Sequence, residues 1–390
     1  MLPPGPAPPE IVAVIPYPGP MTSSACTLLV VGAGPAGRAL AHRALVHGMS
    51  VTVVDPAPDA AWRSTFGMFD DDLPGWLPRD VIACDATSFT VFTPERREVG
   101  RRYCVLDAPS LQRALTLDGA RLEASRAREI TAHTVRLDDG RLLSADHVID
   151  ARGGGATDPR IPRQTAYGAV VSGDGTEMVL MDWRQTGAAA PTFSYRVGLG
   201  GGRRLIEETC LAGAPPVPLD VLAARNARRA GSAEPGGAEP ELVDFPLHPG
   251  PAPWRPPDGV PRYGAAGGLM HPATGYSIAA SLGAADGLAA ALARGGDPVR
   301  ALWPRRARWT YRLRLVGLAV LLGFDGRELT AFFDAFFGLP VHRQRAYLGG
   351  RDDLRGTLAT MRAVFRALPG QQKARLVRLA GRAVWAGRSR

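Results

Sequence analysis

The first ordered pattern in the chain is an apolar run at residues 27–31 that enters a glycine-rich turn at residues 32–37. An amphipathic segment follows to about His47, and a second apolar run, residues 50–54, ends at Asp55. Short apolar runs bounded by glycine read as buried strands, and a 3.6-residue spacing between them reads as a helix. The chain therefore opens with a βαβ unit. Further strands are predicted over residues 89–93 and 134–137, a helix over 110–127, and an apolar strand ending at Asp150. From residue 165 onward the text becomes β-rich, with strand-length segments at 165–171, 177–183, 192–199 and 203–211. Residues 198–202 lie between two of these with no helix after them, so they read as a hairpin turn and not a phosphate loop. Residues 213–260 read as a helix, a loop and one more strand. A glycine-rich return at 262–275 leads into a helix from Tyr276 to about Ala293, and everything beyond Pro298 reads as helix.

The first turn carries chemistry. Gly32, Gly34 and Gly37 form a GxGxxG pattern between strand and helix. The first glycine permits the tight turn, the second close approach to a pyrophosphate, and the third close helix packing. The diphosphate would lie at the helix N-terminus, where free amide groups favour anions. Asp55, at the end of the second strand, stands where an acid binds ribose hydroxyls. The later strand ends in Asp150-Ala151-Arg152-Gly153, the manner in which FAD proteins return to the cofactor domain, so FAD is favoured over NAD.

The expected architecture is α/β: a Rossmann-type FAD-binding domain, an antiparallel β-sheet substrate domain and a C-terminal helical region. Residues 1–24 read as a disordered Pro-rich leader, with Met21 a possible alternative start. Residues 25–164 read as the FAD domain with interleaved substrate-domain strands. Residues 165–260 form the β-rich substrate domain, 261–297 the return to the FAD domain, and 298–390 a basic helical region.

A length of 390 residues suits two or three subdomains, and 45% apolar with 21% charged residues argues against disorder over most of it. Four widely spaced cysteines without a CxxC exclude a disulfide framework and a thiolate zinc site. An intracellular compartment follows by default. The net charge is +9, yet residues 300–390 hold nineteen basic and five acidic residues, a balance of +14. The rest of the chain is therefore about −5. Nucleic acid, anionic lipid or plain solvent can each face such a surface. The longest apolar run, residues 315–324, is about half of a membrane span.

Acidic residues embedded in apolar text are the remaining candidates: Asp70, Asp71 and Asp72, Asp182, and Glu207 with Glu208. On a strand, Leu205, Glu207, Thr209 and Leu211 share one face, and Arg204, Ile206, Glu208 and Cys210 the other. Only one glutamate can face a given cavity. A glutamate among apolar neighbours has its pKa raised and can serve as a protonated acid at neutral pH. The plain alternative for each is a solvated residue or a salt bridge.

Five ordered motifs together resemble the flavoprotein lycopene cyclases of carotenoid biosynthesis, the lycopene β-cyclase type. They are Phe66-Gly67-Met68-Phe69-Asp70-Asp71-Asp72, Gln164-Thr165-Ala166-Tyr167-Gly168, Met181-Asp182-Trp183-Arg184, Ile206-Glu207-Glu208-Thr209 and His271-Pro272-Ala273-Thr274-Gly275-Tyr276. A Phe-rich segment at 332–340 is also similar. The resemblance implies an isomerase that closes the linear ends of lycopene into β-ionone rings without net redox. It needs reduced FAD, and NADPH is the usual electron source. The resemblance assigns acid/base work to the second glutamate, Glu208, with Glu207, Asp182, Asp70 and Asp71 as further catalytic candidates. It adds Gly267, His271 and Gly275 to the expected cofactor site, and no metal.

Phe69 stands where that family commonly has Trp, Asp72 where Glu is common, and Leu205-Ile206 where Phe-Leu is usual. These departures leave ring number and end-group type open. Gly264-Ala265 replaces the Gly-Asp turn of related flavin monooxygenases, which lowers a hydroxylase reading. A catalytically silent carotenoid-binding flavoprotein is the other alternative. A bilayer-confined substrate implies a peripheral protein on the inner face of the cell membrane, and no nucleic-acid partner. The Phe332, Phe333, Phe336 and Phe337 stripe among arginines reads equally as an interfacial helix, as core, or as tunnel wall.

Overall fold

The computed structural model describes residues 27–386 except 154–157, 159, 174–175, 186–189 and 232–237. The expected leader lies outside the described residues. Four parallel strands make the first sheet, in the order His147–Asp150, Thr27–Val31, Ser50–Asp55, Arg121–Ala124. One face, through Leu28, Val30, Val51 and Val53, belongs to the core formed with helices Pro35–Val46 and Ile278–Ala293. The other face, through Leu29, Val31 and Val54, meets Ala127, Val135 and Leu137 of a three-stranded antiparallel sheet. Burial on both faces explains why Thr27–Val31 and residues 51–54 run nearly apolar instead of alternating, whereas Arg121–Ala124 at the sheet edge is exposed except at Glu123.

The helix expected over 110–127 is a correction. The helix is Ala108–Ala114, and Arg121–Ala124 is the fourth parallel strand. Asp107 caps the helix by accepting from the Ser110 amide at 2.8 Å. Beyond it, Gly119 at φ +91° turns the chain into the strand.

The second sheet has seven strands: Glu241–Pro246, Arg163–Ser172, Arg203–Gly213, Phe193–Gly200, Val179–Asp182, Phe89–Phe92 and Arg96–Val99. All pairings are antiparallel except Val179–Asp182 on Phe89–Phe92. Gly200, Gly201 and Gly202 all have positive φ and form the hairpin turn. A small antiparallel sheet, Phe66–Phe69, Tyr103–Leu106 and Ile82–Ala86, carries the Phe-Gly-Met-Phe segment. The chain returns to the first sheet by a bridge between Asp150 and Arg262.

Six helices follow, from Pro298–Leu302 to Gly370–Ala386. None among the described residues is long and apolar enough to cross a membrane. The phenylalanine stripe is core and not an interfacial face. Phe333 stacks on Trp183 with centroids 5.4 Å apart, and Phe337 meets Phe89 edge-on at 6.0 Å. Phe336 packs on Tyr347, and Phe332 is half-buried beside Phe324. Burying these rings against the sheet removes their apolar area from water and holds helix Gly326–Phe337 in place.

Candidate active site

The glycine turn is built for close approach. Gly32 has φ +109°, and a Cβ there would lie 2.9 Å from the backbone of Ala151 and Arg152. A Cβ at Gly37 would lie 1.9 Å from the Gly32 carbonyl oxygen. At Gly34 a Cβ would meet nothing within 4 Å, so protein packing does not demand this glycine. Asp55 leans over the turn, its Oδ2 accepting from the Ala33 amide at 2.8 Å. No side chain caps helix Pro35–Val46, which leaves its first amides for a ligand. These residues fit a dinucleotide. Asp150 is buried and bound by the Arg152 guanidinium at 2.8 and 3.0 Å, and a Cβ at the adjacent Gly153 would face open space. Gly267 sits in the return turn, where a Cβ would be 2.4 Å from the Arg262 carbonyl oxygen.

Residues 271–277 form a second turn. His271 is buried, with Nδ1 accepting from the Ala273 amide at 3.2 Å and Nε2 donating to the Tyr347 carbonyl at 3.1 Å. Burial, and then the charge of Arg314, hold its pKa well below the ordinary histidine value, so it is a neutral structural imidazole. Gly275 has φ +77°, and a Cβ there would sit 2.1 Å from Gln164 Oε1. Gln164 Oε1 and Thr274 Oγ1 are buried with no hydrogen-bond partner, and helix Ile278–Ala293 begins without a side-chain cap. Buried polar atoms are normally satisfied. The orphans at this turn fit the polar edge of a flavin ring.

Gln164, Thr274 and Gly275 line a cavity of about 420 Å³ that also holds Glu207. One row of the seven-stranded sheet forms its wall. Tyr195 pairs with Glu207, Glu207 with Gly168, and Gly168 with Glu241. Directly paired residues share a face, so Tyr195, Glu207 and Glu241 point to the same side. Tyr195 OH lies 3.1 Å from Tyr103 OH, which lies 3.5 Å from Tyr276 OH. Gly67 explains its own identity here, because a Cβ would be 2.3 Å from Tyr103 OH and 2.6 Å from Tyr195 OH. Burial raises the pKa of all three tyrosines, so the phenols are neutral. Burial also pushes the Glu207 carboxyl up to about 7, with the Glu241 charge adding to the effect. The hydrogen bond from Thr209 Oγ1, at 2.5 Å, works the other way.

The next row faces the opposite side: Asp182 pairs with Ser194, and Ser194 with Glu208. Glu208 is 1% exposed, accepting from Thr192 Oγ1 at 2.5 Å and from Arg229 Nε at 2.6 Å. Asp182 binds Arg184 at 2.7 Å and Arg196 at 3.0 Å. Burial alone would raise the pKa of Asp182; hydrogen bonds and charge from Arg184, with the charge of Arg196, overcome it and leave the pKa lowered. Glu208, to which the resemblance gives the acid/base role, thus lies on the sheet face opposite this cavity, in an ion pair with Arg229. The strand alternation puts Glu207 in the cavity, and Glu208 is a salt-bridged anchor beneath it.

Asp70, Asp71 and Asp72 form a short helical turn away from this cavity. Asp70 pairs with Arg79, and Asp71 with Arg101 and Arg345 at 2.6 and 2.7 Å. Arg101 also reaches Asp72 at 3.1 Å and lies 3.6 Å over the Phe69 ring. The triad thus ties the small sheet to helix Val341–Leu348. Asp72 also lines a second cavity, of about 370 Å³, with His271, Tyr276 and Arg314. Glu241, Tyr195 and Arg229 escaped the sequence reading, because strand pairing brings the first two into the Glu207 row and the packing of helix Leu219–Ala230 brings Arg229 to Glu208.

The fold combines a parallel dinucleotide-binding sheet with an antiparallel sheet walling a cavity, the architecture of flavin-dependent oxidoreductases. Residues 27–370 match the family described as "Lycopene cyclase protein", and the chain belongs to that family. It is 33% identical to an uncharacterized carotenoid cyclase of Deinococcus radiodurans, over 93% of this chain and 95% of that protein. It is 29% identical to the chloroplastic lycopene beta cyclase of Arabidopsis thaliana, over 84% of this chain and 75% of that protein. A geranylgeranyl bacteriochlorophyll reductase-like protein of Thermoplasma acidophilum shares the fold, with a TM-score of 0.63 at 15% identity over 91% of this chain and 99% of that one.

Proposed function

We propose that the protein is a lycopene β-cyclase that binds FAD and acts in its reduced state, with NADPH as the electron source. The observation that carries this reading is Glu207, a buried carboxyl pushed up to about 7, and so partly protonated at neutral pH, in the wall of a cavity rimmed by phenols and apolar side chains. Its neighbours Leu205 and Leu211, and Phe193 across the strand pair, receive a hydrocarbon end. A hydrocarbon offers no hydrogen bonds, so shape must orient it. Glu207 delivers a proton to the terminal double bond, and the tertiary cation is attacked by the next double bond to close a six-membered ring. The faces of Tyr103, Tyr195 and Tyr276 present π density to that cation. FAD would be held by Gly32, Gly34, Gly37 and Asp55 at one end, and by Gln164, Thr274 and Gly275 at the other. Reduced and anionic, a flavin held there would supply negative charge that stabilises a cation without net redox.

The substrate lives in bilayers, so the reading includes peripheral docking on the inner face of the cell membrane. The arginine-rich C-terminal helices expose Trp309, Leu358 and Val377, at 54%, 48% and 56%. Trp309 stacks beneath Arg312 at 4.9 Å. Such a tryptophan–arginine surface suits an anionic interface.

Expression in a lycopene-accumulating host tests the function. Ring-bearing carotenes of the same mass as lycopene are expected. Products heavier by oxygen, with NADPH consumed at each turnover, would make the protein a flavin hydroxylase. Unchanged lycopene with carotene bound would make it a carrier.

A further inference from the structure

Cyclisation needs two proton transfers, at different carbons. The acid donates to the end of the chain, and a base must remove a hydrogen next to the final cation. The cavity holds a second carboxylate on the same row as Glu207. Glu241 is separated from Glu207 by the Gly168 strand alone. Two strand spacings put the backbones about 9–10 Å apart. Gly168 stands between them, and the Leu205 side chain leans over it: a Cβ at Gly168 would lie 2.8 Å from Leu205 Cδ1 and 3.6 Å from Glu241 Cβ. Leu205, Glu207 and Glu241 line the same cavity, so a hydrocarbon end held against Leu205 would lie beside both carboxyl groups.

We propose that Glu241 is the base that takes the proton lost after ring closure, and that its position selects where the ring double bond forms. This rests on the reading of Glu207 as the acid.

The balance is simple. Glu207 gives a proton, and the terminal π pair forms the new C–H bond. The next π pair forms the ring C–C bond and moves the charge inward. Glu241 takes a hydrogen as a proton from a neighbouring carbon, and that C–H pair becomes the ring double bond. One proton enters, one leaves, and no electrons are exchanged. Water then carries a proton from Glu241 back to Glu207. Glu241 is placed for this, being half-buried on an edge strand where the adjacent Leu242 is 60% exposed.

The surroundings anchor the side chain. Glu241 Oε1 accepts from the Thr65 amide at 2.8 Å, which fixes the side chain at the cavity mouth. The other titratable groups around the cavity are Glu207, the three tyrosines and Asp244. Asp244 is occupied by Arg163 at 2.5 Å. No cation pairs with Glu241 among the described residues.

Glu241→Gln tests the assignment, because an amide oxygen still accepts from Thr65 but cannot take the proton. In the flavin-loaded protein with lycopene in liposomes, ring formation should fall by about 10²–10⁴-fold. Flavin content should stay at the wild-type level, and the residual product should carry its ring double bond at other positions. Wild-type rate and end group in Glu241→Gln would overturn the proposal. If Glu207→Gln is then inactive, the acid reading stands and Glu207 serves as its own base. Should Glu241→Gln not accumulate, Glu241→Asp keeps a base one methylene further away, and an altered end-group ratio is expected. An unchanged ratio at an unchanged rate would equally overturn the proposal.

Discussion

Glu207 and Glu208 are adjacent in sequence and stand on opposite sides of one sheet: the first opens into the cavity, and the second is bound to Arg229 at 2.6 Å. Two carboxyls one residue apart thus receive opposite treatment. Glu207 is kept near neutral as an acid, and Glu208 is enclosed with a guanidinium. Under the proposed function, one glutamate of the motif is the proton donor and the other anchors the strand that carries it.

Arg229→Met should destabilise the protein by about 3–5 kcal/mol, the usual cost of stranding one member of a buried ion pair. Urea denaturation measures this. Glu208→Gln should also lower stability, while any remaining activity keeps its alkaline limb. Full stability of Arg229→Met would mean that the pair anchors nothing.

Asp182 predicts an acid-side dependence. Its folded pKa is lowered from the ordinary 3.8. Its contribution is therefore fully present above the unfolded value and is lost as pH falls towards the folded one. The urea midpoint of the wild type should drop below about pH 4, and Asp182→Asn should lose part of that slope. Identical slopes would remove Asp182 from the account.

The cofactor turn separates packing from binding. Gly37→Ala places a Cβ on the Gly32 carbonyl, and should lower both thermal stability and flavin content. Gly34→Val has space in the protein alone, so the flavin-free form should melt near the wild-type temperature while flavin content falls. Normal flavin content in Gly34→Val would move the diphosphate elsewhere.

Much of this was legible in the sequence. The βαβ opening and the hairpin at residues 198–202 announce themselves by local pattern, and so do most strands of the large sheet. The fourth parallel strand did not, because Arg121–Ala124 shows one apolar pair in exposed company, and only pairing with Ser50–Asp55 makes it a strand. Alternation placed Glu207 and Glu208 on opposite faces, but which face held the cavity depends on the third dimension. The same is true of Glu241, whose register with Gly168 is a property of the folded sheet. The phenylalanine stripe had the period of a buried and of an interfacial helix alike; Trp183 and Phe89 decide for the core.

Membrane attachment should follow charge and one anchor. Binding to anionic vesicles should weaken as salt rises, since surface charge is screened within about 10 Å at 0.1 M. Trp309→Ala should weaken it further at every salt concentration. Equal binding to neutral and anionic vesicles would leave the arginines without this role.

The central claim is that Glu207 is the proton donor, and the pH dependence of ring formation tests it most directly. A donor must be protonated, so the rate should fall as pH rises through about 7, the value to which burial pushes this carboxyl. Glu207→Gln should abolish rings in a protein that retains its flavin and its melting temperature. Ring formation at wild-type levels by Glu207→Gln, or an alkaline limb that persists in it unchanged, would contradict the account.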